Sequence, residues 1–215
     1  MNDIIFIIPT IGRESLIHSL ESLITLNGNY RWKALVIFDG IKNNLNNLMN
    51  DNIIYIEVDK CGKEDKKNTA GLVRNKGFEY IIDNNIKSEY IGFLDDDDTL
   101  HPDYMIHLYN EKEKFQFDCI IFRMMFQNHK IIPHEKTNQI IKCNIGISFV
   151  IKRDIIINEK NVIFINNPFE DYLFIVTLRN KKYKILLSKY VNYFVKTTYN
   201  ECKDKIKNYA NILFN

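Results

Sequence analysis

Four runs in the first hundred residues restrict the fold more than anything else in the chain: "DIIFIIP" (Asp3 to Pro9), "ALVIF" (Ala34 to Phe38), "NIIYIEV" (Asn52 to Val58) and "YIGFL" (Tyr90 to Leu94). Each is a continuous β-branched and aromatic run, as expected of strands covered on both faces. Helical stretches lie between them. Leu16, Ile17, Leu20, Leu23 and Ile24 fall on one helical face. Leu72, Val73, Lys76 and Tyr80 predict a helix from about Thr69 to Asp83, with Gly77 as a weak point. Repeated βα units of this length predict an α/β fold built on a mostly parallel, doubly wound sheet with helices on both faces.

The second half is less regular. "FDCIIFRMMF" (Phe117 to Phe126) and "NIGISFVIK" (Asn144 to Lys152) read as strands, and "FEDYLFIVTLRN" (Phe169 to Asn180) as a helix. "YKILL" and "YVNYFV" read as two more strands that finish the sheet. Ile206, Tyr209, Ala210 and Leu213 form a helical stripe that should dock on the body. With 215 residues, 46% of them hydrophobic, the chain is long enough for one sizeable core. No repeat, low-complexity linker or Gly/Ser-rich hinge divides it, so residues 1–215 are expected to form a single domain.

Charge excludes some partners. The 29 Lys+Arg nearly cancel the 27 Asp+Glu, so no net field points to nucleic acid or to a membrane surface. No stretch approaches the roughly 18 uninterrupted apolar residues of a membrane span. The apolar N-terminal run is short, lacks a basic leader and stops at Pro9, unlike a signal peptide. Cys61, Cys119, Cys143 and Cys202 lie far apart without CxxC spacing, which predicts reduced thiols in a cytoplasmic protein rather than a zinc site or disulfide framework. The most polar stretch is the loop Asp59 to Asn68.

In open α/β sheets ligands bind at the carboxyl ends of the strands. The unusual residues of this chain are placed there. "PTIGR" (Pro9 to Arg13) follows the first strand, Asp39-Gly40 the second, and Asp95 to Asp98 the fourth. Four adjacent carboxylates resist joint ionisation unless a cation or several donors offset them. Hard divalent ions such as Mg²⁺ or Mn²⁺ prefer such oxygens. In an extended segment Asp95 and Asp97 point to one side, leaving Asp96 and Asp98 for helix caps or solvent. Asp98 or Thr99 reads equally well as the cap of a helix starting near His101-Pro102. Asp39 can accept hydrogen bonds from a base or ribose, or simply belong to an Asp-Gly turn. Arg74 lies one turn into its helix, where it can reach a phosphate or hold the acidic run. Glu170 and Asp171 begin a helix, where carboxylates are favoured by the dipole and where one can serve as a general base.

In this order the pieces resemble the family-2 glycosyltransferases with the GT-A fold: P-T-x-x-R after the first strand, Asp-Gly after the second, an A-x-x-R-N helix, an L-D-x-D-D-x-L run, and an E-D pair opening a late helix. Here these read "PTIGR", "FDG", "AGLVRN", "FLDDDDTLHPDY" and "FEDYLFIVTL", over Ile4 to about Leu187. The resemblance implies transfer of a sugar from a nucleotide-sugar donor, a UDP-sugar by preference, to a hydroxyl on a glycan, protein or small-molecule acceptor. It also implies inversion and a Mn²⁺ or Mg²⁺ cofactor. By position, Pro9, Thr10 and Arg13 would lie beside the nucleotide, and Asp39 would accept a hydrogen bond from the base. Arg74 would support the diphosphate side. Asp95 would face the ribose, with Asp96 also counted among the donor-binding residues. Asp97 would hold the metal and Asp171 would be the base.

Three positions depart from the pattern. Ile11-Gly12 replaces the usual Tyr-Asn, Thr177 stands where an arginine is usual, and no histidine follows His134. The metal would then be held mainly by Asp97, the diphosphate and water. Two other readings compete: a nucleotidyltransferase, which should carry a glycine-rich, basic phosphate loop after the first strand, and an inactive sugar- or protein-binding module on the same fold.

Overall fold

The structure, a computed structural model, describes residues 1–43, 50–62, 69–137, 139–201 and 203–204. In chain order these form β1 (Asn2–Thr10), α1 (Leu16–Ile24), β2 (Trp32–Asp39), β3 (Ile53–Val58), α2 (Ala70–Asp83), β4 (Ser88–Phe93) and β5 (Thr99–Leu100). They continue with α3 (Tyr104–Lys114), β6 (Cys119–Phe126), β7 (Ile131–Ile132), β8 (Phe149–Lys152), α4 (Asp154–Asn158), α5 (Glu170–Asn180) and β9 (Ile185–Val195). One sheet runs β3-β2-β1-β4-β8-β6-β9-β5, with β7 on β6.

The first four strands in that order pair in parallel. Strand β8 then runs antiparallel to both β4 and β6, which restores the original direction, and β9 pairs parallel to β6. The carboxyl ends of β1, β2, β4, β6 and β9 therefore share one edge, and the functional residues collect along it. Ile4 to Ile8 of β1 are all 0% exposed, which is why that segment carries no polar side chain. Successive strand residues face opposite ways. Phe6 meets Tyr104 of α3, at 5.6 Å between ring centroids, and Ile7 lies against Gly77 of α2, so these helices cover opposite faces.

Gly77 is a close approach rather than a weak point. A β-carbon there would lie 2.8 Å from Ile7 Cγ2, so the missing side chain lets α2 settle onto β1 and β2. The buried face of α2 is Gly71, Val73, Arg74, Gly77, Phe78 and Ile81, and Lys76 is exposed. On α1 the expected stripe is narrower: Leu16, Leu20 and Leu23 are buried, whereas Ile17 and Ile24 stand 38% and 39% exposed.

Two strand boundaries differ from expectation. Only Phe149–Lys152 of the 144–152 run forms a strand. Ser148 still bonds to Phe122 of β6, but the residues before it leave the sheet, and Ile145 and Ile147 are buried against the cleft instead. The two final strands are one, β9, whose pairing with β6 absorbs register shifts around Arg123. Arg123 is 3% exposed and donates to the carbonyls of Pro133 (2.6 Å) and His134 (2.7 Å), fastening the long connection from β6 to β8. The expected stripe of Ile206, Tyr209, Ala210 and Leu213 lies outside the described residues, as do Cys202 and residues 63–68 of the polar loop.

Beneath the carboxyl edge, Phe78, Phe93, Phe149, Phe164 and Phe174 form one aromatic block, with Phe164 and Phe174 stacked at 4.3 Å. Asn75 locks Phe164 in place. Its side chain donates to the Phe164 carbonyl (2.8 Å) and accepts from the Phe164 N–H (2.9 Å). This reciprocal clamp ties the start of α2 to the segment that leads into α5.

Candidate functional site

A cleft of about 580 Å³ opens along the shared carboxyl edge. That is within the range of roughly 300–1,000 Å³ typical of small-molecule sites. Pro9, Thr10, Arg13, Asp39, Arg74, Asp95, Asp96, Asp97 and Asp171, all singled out in the sequence, line it together.

The acidic run is not a solvated loop. Thr10 Oγ1 donates to Asp96 Oδ2 at 2.6 Å and itself accepts from the Gly12 N–H at 2.9 Å. Arg13 Nη1 bridges Asp96 Oδ1 (2.9 Å) and Asp97 Oδ2 (3.0 Å). Asp96 is 4% exposed and Asp98 5%, so neither turns to solvent as the simple alternation of an extended segment predicts. The segment is a turn, in which the Asp98 N–H donates to the Asp95 carbonyl at 3.2 Å. Asp98 Oδ1 accepts from the Lys196 N–H at 3.1 Å, Thr99 belongs to β5, and the residue preceding α3 is Asp103, so neither Asp98 nor Thr99 is a helix cap. Burial raises the pKa of Asp96, against the pull of Thr10 and Arg13, and raises that of Asp98 well above the usual carboxylate range.

Arg74 organises the middle of the cleft. Its side chain is 2% exposed and donates to Glu170 Oε1 at 2.6 Å and to Asp95 Oδ1 at 2.5 Å. Burial works against its charge, but Asp95, Glu170 and Asp171 together outweigh that and keep the guanidinium protonated. It is spent on carboxylates, so its influence on the cleft passes through them. Asp171 receives less of it: Arg74 Nη1 is 3.7 Å from Asp171 Oδ1, an oxygen with no hydrogen-bond partner. Asp171 is 26% exposed at the side chain. Burial, partly countered by Arg74, pushes its pKa up to about 6.

Asp39, 2% exposed, accepts from the Cys61 N–H (2.7 Å) and from Thr69 Oγ1 (2.9 Å), one bond per oxygen. Each carboxylate oxygen keeps acceptor capacity for a further donor. Asp97 is less enclosed, with a third of its side chain exposed. Among the described residues no three His, Cys, Asp or Glu side chains converge into a ready metal cluster.

Tyr193 and Gly71 escaped sequence reasoning, and Glu170, read there as a helix start or general base, takes a different part. Tyr193, wholly buried on β9, accepts from the Asp95 N–H at 3.0 Å and hydrogen-bonds Asp98, so it fixes both ends of the acidic turn. Glu170 is the main partner of Arg74, with burial raising its pKa and Arg74 opposing. Gly71 makes room for it: a β-carbon there would collide with Glu170 Oε2. The adjacency of Glu170 to Asp171 was the available signal for one; a glycine in a helix and a tyrosine in a strand carry none.

Residues 5–181 match the family model described as glycosyl transferase family 2. No curated protein matches the chain. Among solved structures, S. aureus TarS superposes with a TM-score of 0.67 at 14% identity, covering 99% of this chain and 40% of that one. TarS 1–349 in complex with UDP-GlcNAc gives 0.66 at 15%, covering 91% and 58%, and its complex with UDP gives 0.67 at 14%, covering 96% and 65%. The chain thus spans less than two thirds of the length of these structures, and at such identity the likeness is one of fold, that of the GT-A glycosyltransferases. With most of its length inside the family model, the chain belongs to glycosyl transferase family 2.

Proposed function

We propose that the cleft transfers a sugar, with inversion, from a nucleotide-sugar to an acceptor hydroxyl, with Asp171 as the base. The observation that carries this is the unequal sharing of Arg74: 2.6 Å to Glu170 but 3.7 Å to Asp171. A carboxylate fully paired to a guanidinium is a poor proton acceptor; one held nearby but unpaired, with its pKa raised to about 6, is suited to the task near neutral pH. In the transfer, the acceptor oxygen bonds the anomeric carbon on the face opposite the diphosphate. The carbon–oxygen bond to the diphosphate breaks with its electron pair, and the acceptor proton passes to Asp171.

The donor belongs at the charged end. Asp39 offers acceptor oxygens that suit an imide N–H of a pyrimidine base, and the UDP complexes of S. aureus TarS make a uridine nucleotide the favoured donor class. Arg13 stands where a phosphate can take over the contacts it makes to Asp96 and Asp97. Asp97 fits a divalent ion that uses one carboxylate and completes its shell from phosphates and water, the habit of Mg²⁺ and of similarly hard Mn²⁺. Bound there, such an ion offsets the charge gathering on the departing diphosphate. Unpaired thiols at Cys61, Cys119 and Cys143 fit a reducing, cytoplasmic setting.

A thermal-shift panel of nucleotides and nucleotide-sugars, each with and without Mn²⁺, tests the reading, since a ligand of the native state raises apparent stability. Uridine nucleotides should stabilise the protein and Mn²⁺ should enlarge the effect. Stabilisation by guanosine nucleotides and not uridine ones would reject the donor. Donor hydrolysis by wild type that disappears in Asp171→Asn separates an enzyme from a binding module.

A further inference from the structure

The cleft has a second end that the donor does not account for. The ends of β1, β2 and β4, with the start of α2, bring Arg13, Asp39, Arg74 and Asp95 to Asp97 to one side of it. Across β8, the ends of β6 and β9 bring Met124, Phe126 and Val195, and the segments beside them add Ile145, Phe169 and Tyr199. Phe126 and Tyr199 pack edge to face at 5.3 Å. Lysines stand over these rings: Lys142 Nζ lies 3.7 Å from the Phe169 centroid, and Lys130 and Lys203 lie 5.8 Å and 5.7 Å from that of Tyr199. All three lysines are exposed, and Lys203 itself lines the cleft. Of the two acids beside Lys203, Glu201 accepts from the N–H and hydroxyl of Thr198, at 2.8 and 2.9 Å, and Asp204 is exposed.

From this arrangement we infer that the second end is the acceptor subsite and that it takes an acidic saccharide. The half-buried rings of Phe169 and Tyr199 offer apolar contact to a pyranose, and the ammonium groups over them pair with carboxylate or phosphate on the sugar. The net charge of the whole chain is only +2, so the preference has to be local. The charged end cannot supply it, because its own carboxylates would repel such an acceptor. The inference rests on reading the cleft as a site of glycosyl transfer, with Asp171 3.7 Å from Arg74 and two residues from Phe169.

The test is calorimetric titration of the protein, with UDP and Mn²⁺ present, using three probes: trigalacturonic acid, maltotriose phosphate and neutral maltotriose. At least one acidic probe should bind about tenfold tighter than maltotriose, weaken with added salt, and lose its advantage in the triple variant Lys130→Gln, Lys142→Gln, Lys203→Gln. Which acidic probe wins identifies carboxylate or phosphate as the group recognised. Equal binding of maltotriose, no binding of either acidic probe, or an undiminished preference in the triple variant overturns the inference. UDP affinity, measured in the same wild-type protein, separates the two claims: if UDP itself does not bind, the reading of the cleft as a donor site is what fails.

Discussion

The two ends of the cleft are built by different rules. At the charged end ionised groups are joined across distant parts of the chain: Arg74 joins Asp95, 21 residues from it, to Glu170, 96 residues from it, and Arg13 joins Asp96 to Asp97. At the other end, Phe126, Phe169 and Tyr199 are held mainly by contact and shape, with lysines placed over the rings. Buried charge tolerates few arrangements, because an unpaired member costs several kcal/mol, whereas apolar contacts can be remade by many side chains. The charged end is therefore organised before any ligand arrives, which suits a region that must stabilise developing charge. Apolar contacts at the other end tolerate replacement more readily, as the acceptor subsite inferred above would require.

That contrast breaks most readily at Arg74. Arg74→Ala leaves Glu170 and Asp95 without their cation and should cost about 3–5 kcal/mol, whereas Tyr199→Ala at the other end should cost about 1 kcal/mol. Urea unfolding of the two variants decides it; equal midpoints would mean that the charged end is no more constrained than the apolar one.

Gly71→Ala probes the same network without removing a charge. The added methyl must push Glu170 aside, at a cost of about 1–3 kcal/mol by analogy with overpacked cores. A variant of unchanged stability would show that Glu170 has a second seat. Asp97→Ala moves from folding to binding. Its side chain is partly exposed, so stability should hardly change, while Mn²⁺-dependent affinity for a UDP-sugar should fall about tenfold or more by calorimetry. Equal affinity would remove Asp97 from the metal.

The smallest effect concerns the stability of Asp171→Asn. The native pKa of Asp171, about 6, lies above its ordinary 3.8, so the native state binds this proton more tightly than the unfolded chain. Stability contributed by the proton is therefore lost as pH rises from about 3.8 through about 6, and above that the ionised group is a constant burden. Asparagine removes the burden, so the variant should melt roughly 2 °C higher than wild type at pH 8, with the gain shrinking toward pH 4. A variant less stable at pH 8 would contradict the shift.

How much of this the sequence carries follows from the same contrast. β1, β2 and β4 are legible because strands buried on both faces leave no room for polar residues. The charged cleft is legible because Asp95 to Asp98 cannot be ionised together without outside help. What stayed hidden depends on partners remote in the chain. Gly71 is required by Glu170, and Gly77 by Ile7, yet each reads as an ordinary helix-weakening glycine. Tyr193 reads as one more strand aromatic, although its hydroxyl holds the acidic turn. The run Ile145 to Ile147 has the apolar residues of a strand, but Ile145 and Ile147 are buried against the cleft and only from Ser148 on does the backbone bond to β6. Hydrophobicity reports burial without saying against what.

The central claim, a glycosyl transfer site whose base is Asp171, is tested most directly by comparing turnover of wild type and Asp171→Asn at saturating donor and acceptor, with donor affinity measured alongside. Asparagine keeps the shape of the side chain and removes the proton acceptor. Donor affinity should stay within about twofold of wild type while transfer falls about 100-fold or more, with the product inverted at the anomeric carbon. Wild-type turnover in the variant, or a product that retains the donor's configuration, would contradict it.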